Sequence, residues 1–397
     1  MTERLFHGVK VIDAATFVAA PACGVILADF GADVIKLEPP EGDPYRRAAP
    51  PLWQLASRNK RGLVLDLRSA DGLAALHRIL DDTDVFITNL PLGARERMKV
   101  SYAHLSAGRP RLIYASFTAY GEIGPDVDKP GFDSTSYWAR TGILDEARPN
   151  DEAEPAWPVP GIGDQPAGVG LFAAIAGALY RRERTGLGGM VSSSLLANGL
   201  WANGLPVQAA LGGARRLPRA PRLARPNALV NNYRCADGGW ISLMIMNEEK
   251  LFPALLDALG LGPLRGDPRF LTRETRATHA APLIVELDAA FATRGVTHWR
   301  ETLDRAGVTF DVMLTVEQIG QDQQILASGA LAPLAHNPDA LTVSSPFELA
   351  DAPKTPAGPA PTLGEHSDDI LAEAGLSPDE IASLRKSGAL GATPTSA

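Results

Sequence analysis

Reactive sulfur is scarce in this chain. Cys23 and Cys235 are the only cysteines among 397 residues. Two cysteines cannot build a disulfide framework, nor a four-ligand zinc site on their own, and such scarcity suits a reducing compartment. The seven histidines, at 7, 77, 104, 279, 298, 336 and 366, show no metal-ligand spacing. HExxH and CxxC are absent, so no metal is expected. No GxGxxG follows the first apolar run; that turn reads Ala14-Ala15-Thr16-Phe17-Val18-Ala19-Ala20-Pro21. This excludes a nicotinamide or flavin fingerprint, and neither a Walker loop nor a GxSxG elbow occurs elsewhere. Long hydrophobic runs are missing too. The longest, near Val169–Tyr180, falls short of the roughly 20 residues a spanning helix needs. Met1–Lys10 has no basic stretch leading into an apolar one, so a cytoplasmic protein without signal peptide or membrane association is expected. Bases are the minority charge, 38 against 46 acids for a net −8, the reverse of a nucleic-acid binder.

What is present reads as an ordinary globular chain, 45% hydrophobic and 21% charged, long enough for two or three domains. Short β-branched runs alternate with helical patterns over the first 120 residues. Val9–Asp13, Asp33–Leu37, Gly62–Leu67, Val85–Leu90 and Leu112–Phe117 read as strands. Ala19–Phe30 and Ala70–Asp82 read as helices, the first stopped by Gly31. That alternation predicts an α/β fold with a parallel sheet, whose ligands bind beyond the carboxyl ends of the strands. A loop-rich, acidic stretch covers 125–166. It leads into a long helix over Pro166–Arg184 and then a strand-to-helix segment, Gly189–Leu196. Residues 212–226 are rich in Pro and Arg, with five arginines between 215 and 225. They read as a solvated linker or as a contact for a phosphate-bearing ligand or an acidic face. Beyond it, Trp240–Met244 reads as a strand, 248–259 and 281–293 as helices, and Ser367–Ala374 as a further helix. The last seven residues, GATPTSA, read as frayed.

Two acids stand out by context. Asp164 lies in Gly161-Ile162-Gly163-Asp164-Gln165-Pro166-Ala167-Gly168 at the start of the long helix. It is either a plain N-cap or a carboxylate kept ionised by the helix terminus, approachable because of its glycines and able to act as a nucleophile. Asp133, in Pro130-Gly131-Phe132-Asp133, is either a turn residue or part of the same chemistry.

Motifs spread along the chain add a resemblance. Val18-Ala-Ala-Pro21 is followed by Leu27-Ala-Asp-Phe-Gly-Ala-Asp-Val-Ile-Lys-Leu-Glu38 and Gly42-Asp43. Next come Asn59-Lys-Arg61 with Leu65-Asp-Leu-Arg68, then Asn89, Arg97, Tyr120-Gly121 to Gly124-Pro125 and Gly131-Phe-Asp133. Gly163-Asp164, Gly168, Arg184-Thr-Gly186, Asp237-Gly238 and Leu363-Gly-Glu-His366 complete the series. In this order they resemble the family III coenzyme A transferases, the CaiB/BaiF type that includes formyl-CoA:oxalate and carnitine CoA-transferases.

The resemblance implies a Rossmann-like large domain plus a smaller α+β domain, in an interlocked ring homodimer. It implies a large CoA-binding domain over 1–200, a linker over 201–226, a small domain over 227–320, and a linker returning to the large domain over 321–397. It implies that Asp164 exchanges CoA between an acyl-CoA donor and a carboxylic acid acceptor through an aspartyl-CoA thioester. CoA is then a substrate and no cofactor is permanently bound. By the same resemblance Val18 and Ala19 lie beside the pantetheine, and Leu65, Asp66, Leu67 and Arg68 near the adenine. Asn89, Leu90 and Pro91 follow the next strand, Arg97 joins Arg68 as a phosphate partner, and Pro130, Gly131, Phe132 and Asp133 flank the thioester. Pro39 stands where formyl-CoA transferases carry arginine, and their glycine run is not evident here, which argues against oxalate. A related branch racemises 2-methylacyl-CoA and carries His before the Asp; Phe132 stands there and cannot move a proton. A racemase or intramolecular CoA-transfer isomerase on the same fold, and an acyl-CoA-binding protein without turnover, are the alternative readings.

Overall fold

A computed structural model describes residues 4–216 and 218–390; the tail expected to fray, 391–397, lies outside them. The chain forms two compact units. One comprises the described parts of Met1–Glu146, Trp157–Gly212 and Gln323–Ala397, the other those of Ala147–Ala156 and Gly213–Asp322.

The first unit is built on a six-stranded sheet. Its strands are β1 (Lys10–Asp13), β2 (Asp33–Glu38), β3 (Arg61–Val64), β4 (Val85–Thr88), β5 (Ile113–Thr118) and β6 (Gly189–Ser194). All pair in parallel in the order β3-β2-β1-β4-β5-β6. The helices are α1 (Ala19–Asp29), α2 (Pro50–Ser57), α3 (Ala70–Leu80), α4 (Leu92–Arg97), α5 (Tyr102–Ser106), α6 (Ile143–Glu146), α7 (Asp164–Thr185), α8 (Leu195–Ala202) and α9 (Gly204–Leu211). Successive strand residues point to opposite faces, so each strand serves two cores. Val11, Val34, Val85, Ile87, Ile113 and Ala115 pack with α1 and α7 on one face. Ile12, Ile35, Leu37, Leu63, Phe86 and Tyr114 pack with α3 and the C-terminal helices Ser367–Glu373 and Pro378–Lys386 on the other. Central runs such as Val85–Ile87 are continuously apolar because both faces are covered.

The expected strands and helices are present with ends shifted by a few residues. The strand expected over Gly62–Leu67 ends at Val64, and that expected over Val85–Leu90 ends at Thr88. Helix α2 escapes the sequence reading because Pro50 and Pro51 read as breakers. Both sit in its first turn, where no amide hydrogen is required. α1 and α7 approach closely at Gly168, where a Cβ would lie 2.6 Å from the carbonyl oxygen of Ala19. The chain returns to this unit at Gln323. His366 Nδ1 accepts the N–H of Gly62 (3.1 Å), Ser367 Oγ that of Val64 (3.2 Å), and Ala389 O that of Asp66 (2.8 Å).

The second unit carries an antiparallel sheet of β7 (Val230–Arg234), β8 (Trp240–Met244) and β9 (Phe310–Val312). The helices α10 (Glu248–Ala258), α11 (Arg273–Thr278), α12 (Ala280–Phe291) and α13 (Val296–Ala306) accompany it. Its core holds Tyr233, Ile241, Phe252, Leu287, Phe291 and Trp299. Several arginines of the Pro/Arg stretch are engaged here rather than simply solvated. Arg219 pairs with Asp151 (3.1 Å), and Arg222 with Asp288 (2.5 Å) and the carbonyl of Asn232 (3.1 Å). Among the described residues no helix is long and apolar enough to cross a membrane.

Candidate active site

Strand order reverses between β1 and β4, whose outward neighbours are β2 and β5. Loops leaving the carboxyl ends of such neighbours run apart and open a crevice, the usual ligand position in doubly wound sheets. Val18 and Ala19 follow β1 there, and Asn89, Leu90 and Pro91 follow β4. The two loops are tied together. The Asn89 side chain accepts the N–H of Thr16 (2.9 Å) and donates to its carbonyl (2.8 Å), so its amide is committed to the backbone of the β1 loop.

The β1 loop also rests on buried charges. Asp13 accepts the N–H of Ala15 (3.1 Å) and pairs with Lys60 (2.7 Å). Lys36 donates to the carbonyl of Ala15 and pairs with Asp43 (2.9 Å). Burial alone would raise the Asp13 carboxyl, but the ammonium groups of Lys60 and Lys36 hold it below the usual carboxylate range. Asp43 in turn accepts the N–H groups of Tyr45 (2.8 Å) and Phe17 (3.4 Å). Phe17 sits at φ 65°. Left-handed backbone costs a residue with a Cβ roughly 1–2 kcal/mol, so this network fixes a position the chain would otherwise avoid.

Asp164 and Asp133 come together across thirty residues of sequence. Asp133 opens a π-helical turn, Asp133–Ala139, and accepts the N–H of Gly163 (3.3 Å). A Cβ on Gly163 would fall 2.2 Å from Asp133 Oδ1 and 2.4 Å from the Tyr137 ring, so only glycine fits between them. Asp133 is buried, and its Oδ1 has no hydrogen-bond partner among the described residues. Burial raises its carboxyl above the usual range, partly offset by nearby backbone N–H groups.

Asp164 departs from expectation in two respects. Gly163 is the residue before the helix and Asp164 is its first member, so Asp164 is not the N-cap. Nor is it held ionised. Its carboxyl is pushed up to about 7, first by burial and then by the charge of Asp133. The helix terminus does not prevent this, because among the described residues no N–H or cation lowers it. Phe132 next to Asp133 meets Phe17 edge-to-face at 5.9 Å, and Phe17 meets Tyr45 at 6.4 Å. The Tyr45 phenol is raised by burial, Asp164 and Asp43, which keeps it protonated. Loops 14–18, 43–47 and 130–133 therefore converge on Asp164.

The remaining positions differ in what they can offer. Leu65 is buried, leaving its backbone accessible at most, while Leu67 and Leu90 are half-buried and Pro91, Pro130 and Arg97 exposed. Arg97 makes no ion pair among the described residues, whereas the buried Arg95 two residues earlier bonds Ser116, Glu122 and the carbonyl of Leu90. Arg68 is 60% exposed and lies against Asp66 (2.7 Å) and Glu41 (3.4 Å). Of the aromatic residues near the motifs, Tyr137 is buried and Trp138 packs beside it, while Trp201 stands 89% exposed on α8. Tyr45 is the residue that sequence reading misses; its signal is the Asp43-Pro44 start of a tight helical turn, Pro44–Arg47.

Comparison with known proteins identifies the family. The chain is 33% identical over 399 residues to the cinnamoyl-CoA:phenyllactate CoA-transferase of Clostridium sporogenes, covering 96% of each. It is 29% identical over 401 residues to the (R)-2-hydroxy-4-methylpentanoate CoA-transferase of Clostridioides difficile, covering 96% of this chain and 98% of the relative. A crystal structure of a CaiB/BaiF family protein from Brucella suis superposes with a TM-score of 0.85 at 28% identity, over 94% of this chain and all of that one. The family model for CoA-transferase family III matches residues 6–367, and the chain is an enzyme belonging to that family.

Proposed function

We propose that the chain moves CoA from an acyl-CoA donor to a carboxylic acid acceptor, with Asp164 as the nucleophile. One observation carries this: a half-buried carboxylate with no hydrogen-bond donor among the described residues, raised to about 7, at the convergence of three loops beyond the sheet. A weakly solvated carboxylate is a better nucleophile than a hydrated one, and near neutral pH about half of it is ionised.

An ionised Asp164 oxygen attacks the thioester carbonyl. The C–S bond breaks, CoA leaves as thiolate, and an acyl-aspartyl anhydride forms. The thiolate then attacks the Asp164 carbonyl, expelling the donor carboxylate and leaving an aspartyl-CoA thioester. The acceptor carboxylate attacks that thioester, releasing thiolate and forming a second anhydride. The thiolate attacks the acceptor's carbonyl, giving the new acyl-CoA and restoring Asp164. No net proton is consumed.

Val18, Ala19 and Leu65–Arg68 supply a path for CoA over the strand ends, as do Asn89–Pro91. Arg97, exposed and unpaired, takes a phosphate, as guanidinium groups do with two parallel hydrogen bonds. Arg68 does the same by turning its exposed guanidinium from Asp66 and Glu41 to the phosphate. Pro130–Asp133 flank the thioester. The name of the Clostridium sporogenes relative, which gives a donor thioester and a separate acid, supports transfer between separate acids. The protein works as an interlocked homodimer; a folded monomer seen by sedimentation at low concentration refutes that part alone.

The test of the reaction is charging. Incubation with acyl-CoA alone, then hydroxylamine, marks the peptide holding residues 161–168. A mark on any other residue overturns the assignment.

A further inference from the structure

We propose that Phe17 and Phe132 form an apolar gauge that selects acyl groups with branched-aliphatic or aromatic side chains over short or dicarboxylic ones. This rests on the charging of Asp164 described above.

Both rings are exposed, Phe17 at 41% and Phe132 at 60%, although phenylalanine is a residue that folding normally hides. They meet edge-to-face at 5.9 Å and belong to different loops. Neither is exposed through looseness. Phe17 has a left-handed backbone with its N–H on the buried Asp43, and Asp43 is fixed by the buried Lys36. The Phe132 N–H donates to Thr135 Oγ1 (2.9 Å), and its carbonyl accepts from Ser136 N (2.9 Å) and Ser136 Oγ (2.8 Å). Two apolar faces are thus held in water beside the nucleophile. A bound acyl chain lying between them removes those faces from water.

Charge selects in the same direction. Among the described residues, Asp133 is the charged group acting on Asp164, and no cation offsets the pair. A second carboxylate on the acyl group approaches two acids with no partner. A branched or aromatic group meets Phe17, Phe132 and the Tyr45 ring instead. The polar tip of Tyr45, which stays protonated, donates to a single oxygen of such an acid.

The experiment measures single-turnover charging of Asp164 by four thioesters: acetyl-CoA, succinyl-CoA, 4-methylpentanoyl-CoA and 3-phenylpropanoyl-CoA. The CoA moiety is common, so its contacts cancel in the ratios. A single methylene group in an apolar pocket discriminates by about 10–200-fold, so the last two should charge at least about tenfold faster than the first two. In Phe132→Ala, and in Phe17→Gly, which suits the left-handed backbone, that ratio should fall about tenfold. Phe132→Leu should retain it for the branched group. Succinyl-CoA charging as fast as the apolar thioesters overturns this proposal and leaves the transferase reading intact. An unchanged ratio in folded Phe17→Gly and Phe132→Ala overturns it too. The wild-type series decides alone if the variants fail to fold. No charging by any thioester, with all four bound, refutes the reaction itself.

Discussion

Replacing Asp164 with asparagine should abolish exchange and also stabilise the fold at alkaline pH. The carboxyl moves from 3.8 to about 7 on folding. A tenfold change in an acid's ionisation constant is worth about 1.36 kcal/mol, so the whole rise corresponds to roughly 4 kcal/mol. Asp164 keeps some contact with solvent, which reduces this to about 2–4 kcal/mol. The sign follows from the direction of the rise. The folded pKa lies above the unfolded one, so folded protein holds a proton that unfolded chain releases. Stability is lost as pH rises from about 4 to about 7, and the loss is complete above that. Asparagine carries no proton to lose. Between pH 5 and pH 8 the advantage of Asp164→Asn over wild type should therefore grow by about 2 kcal/mol. Urea unfolding of both proteins at the two pH values measures it, alongside an acyl-CoA exchange assay. An advantage independent of pH would show that Asp164 is not a desolvated carboxyl in the folded state. Normal exchange in the folded variant would remove it as nucleophile.

The charging rate of wild type should rise about tenfold between pH 6 and pH 8 and level off, as expected for a nucleophile with a pKa near 7. Asp133→Asn should move that midpoint down by removing the like charge; an unmoved midpoint shows that burial alone sets it. Arg97→Ala should raise the apparent constant for acyl-CoA by about 10–100-fold with little change in maximal rate, the cost of a charged hydrogen bond made equally in ground and transition states. Gly168→Val should lower stability by about 1–3 kcal/mol, read as a fall in Tm, because its side chain would collide with the carbonyl of Ala19 on α1.

Much of the fold is legible because the chain repeats one local rule. Val11 beside Ile12, and Val85 and Ile87 around Phe86, make short apolar runs suited to strands covered on both faces. The amphipathic face of α3 and the Gly186 stop after α7, at φ 74°, obey the period and capping rules directly. What escapes depends on partners distant in sequence. Helix α2 is held by contacts such as Gln54 Nε2 to the carbonyl of Gly358 (2.6 Å), three hundred residues away. Lys36 and Lys60 resemble surface lysines in sequence, yet both are buried because Asp43 and Asp13 meet them.

The site divides along the same line. That Asp164 starts a helix is a local fact, readable from Pro166 and the glycines around it. Its electrostatic state is not local. A helix N-terminus keeps a carboxylate ionised when its free N–H groups reach that carboxylate. Here the N–H of Gln165 goes to the carbonyl of Gly161 (3.2 Å), Pro166 has none, and the N–H of Gly163, at the cap position, goes to Asp133. Asp133 thereby both takes the donor and adds a like charge, while burial acts on both carboxyls. The arrangement that makes Asp164 a poor cap leaves it under-solvated and unbonded, the condition a nucleophilic carboxylate requires. Gly163 is what allows it, since any Cβ there would collide with Asp133 Oδ1 and the Tyr137 ring.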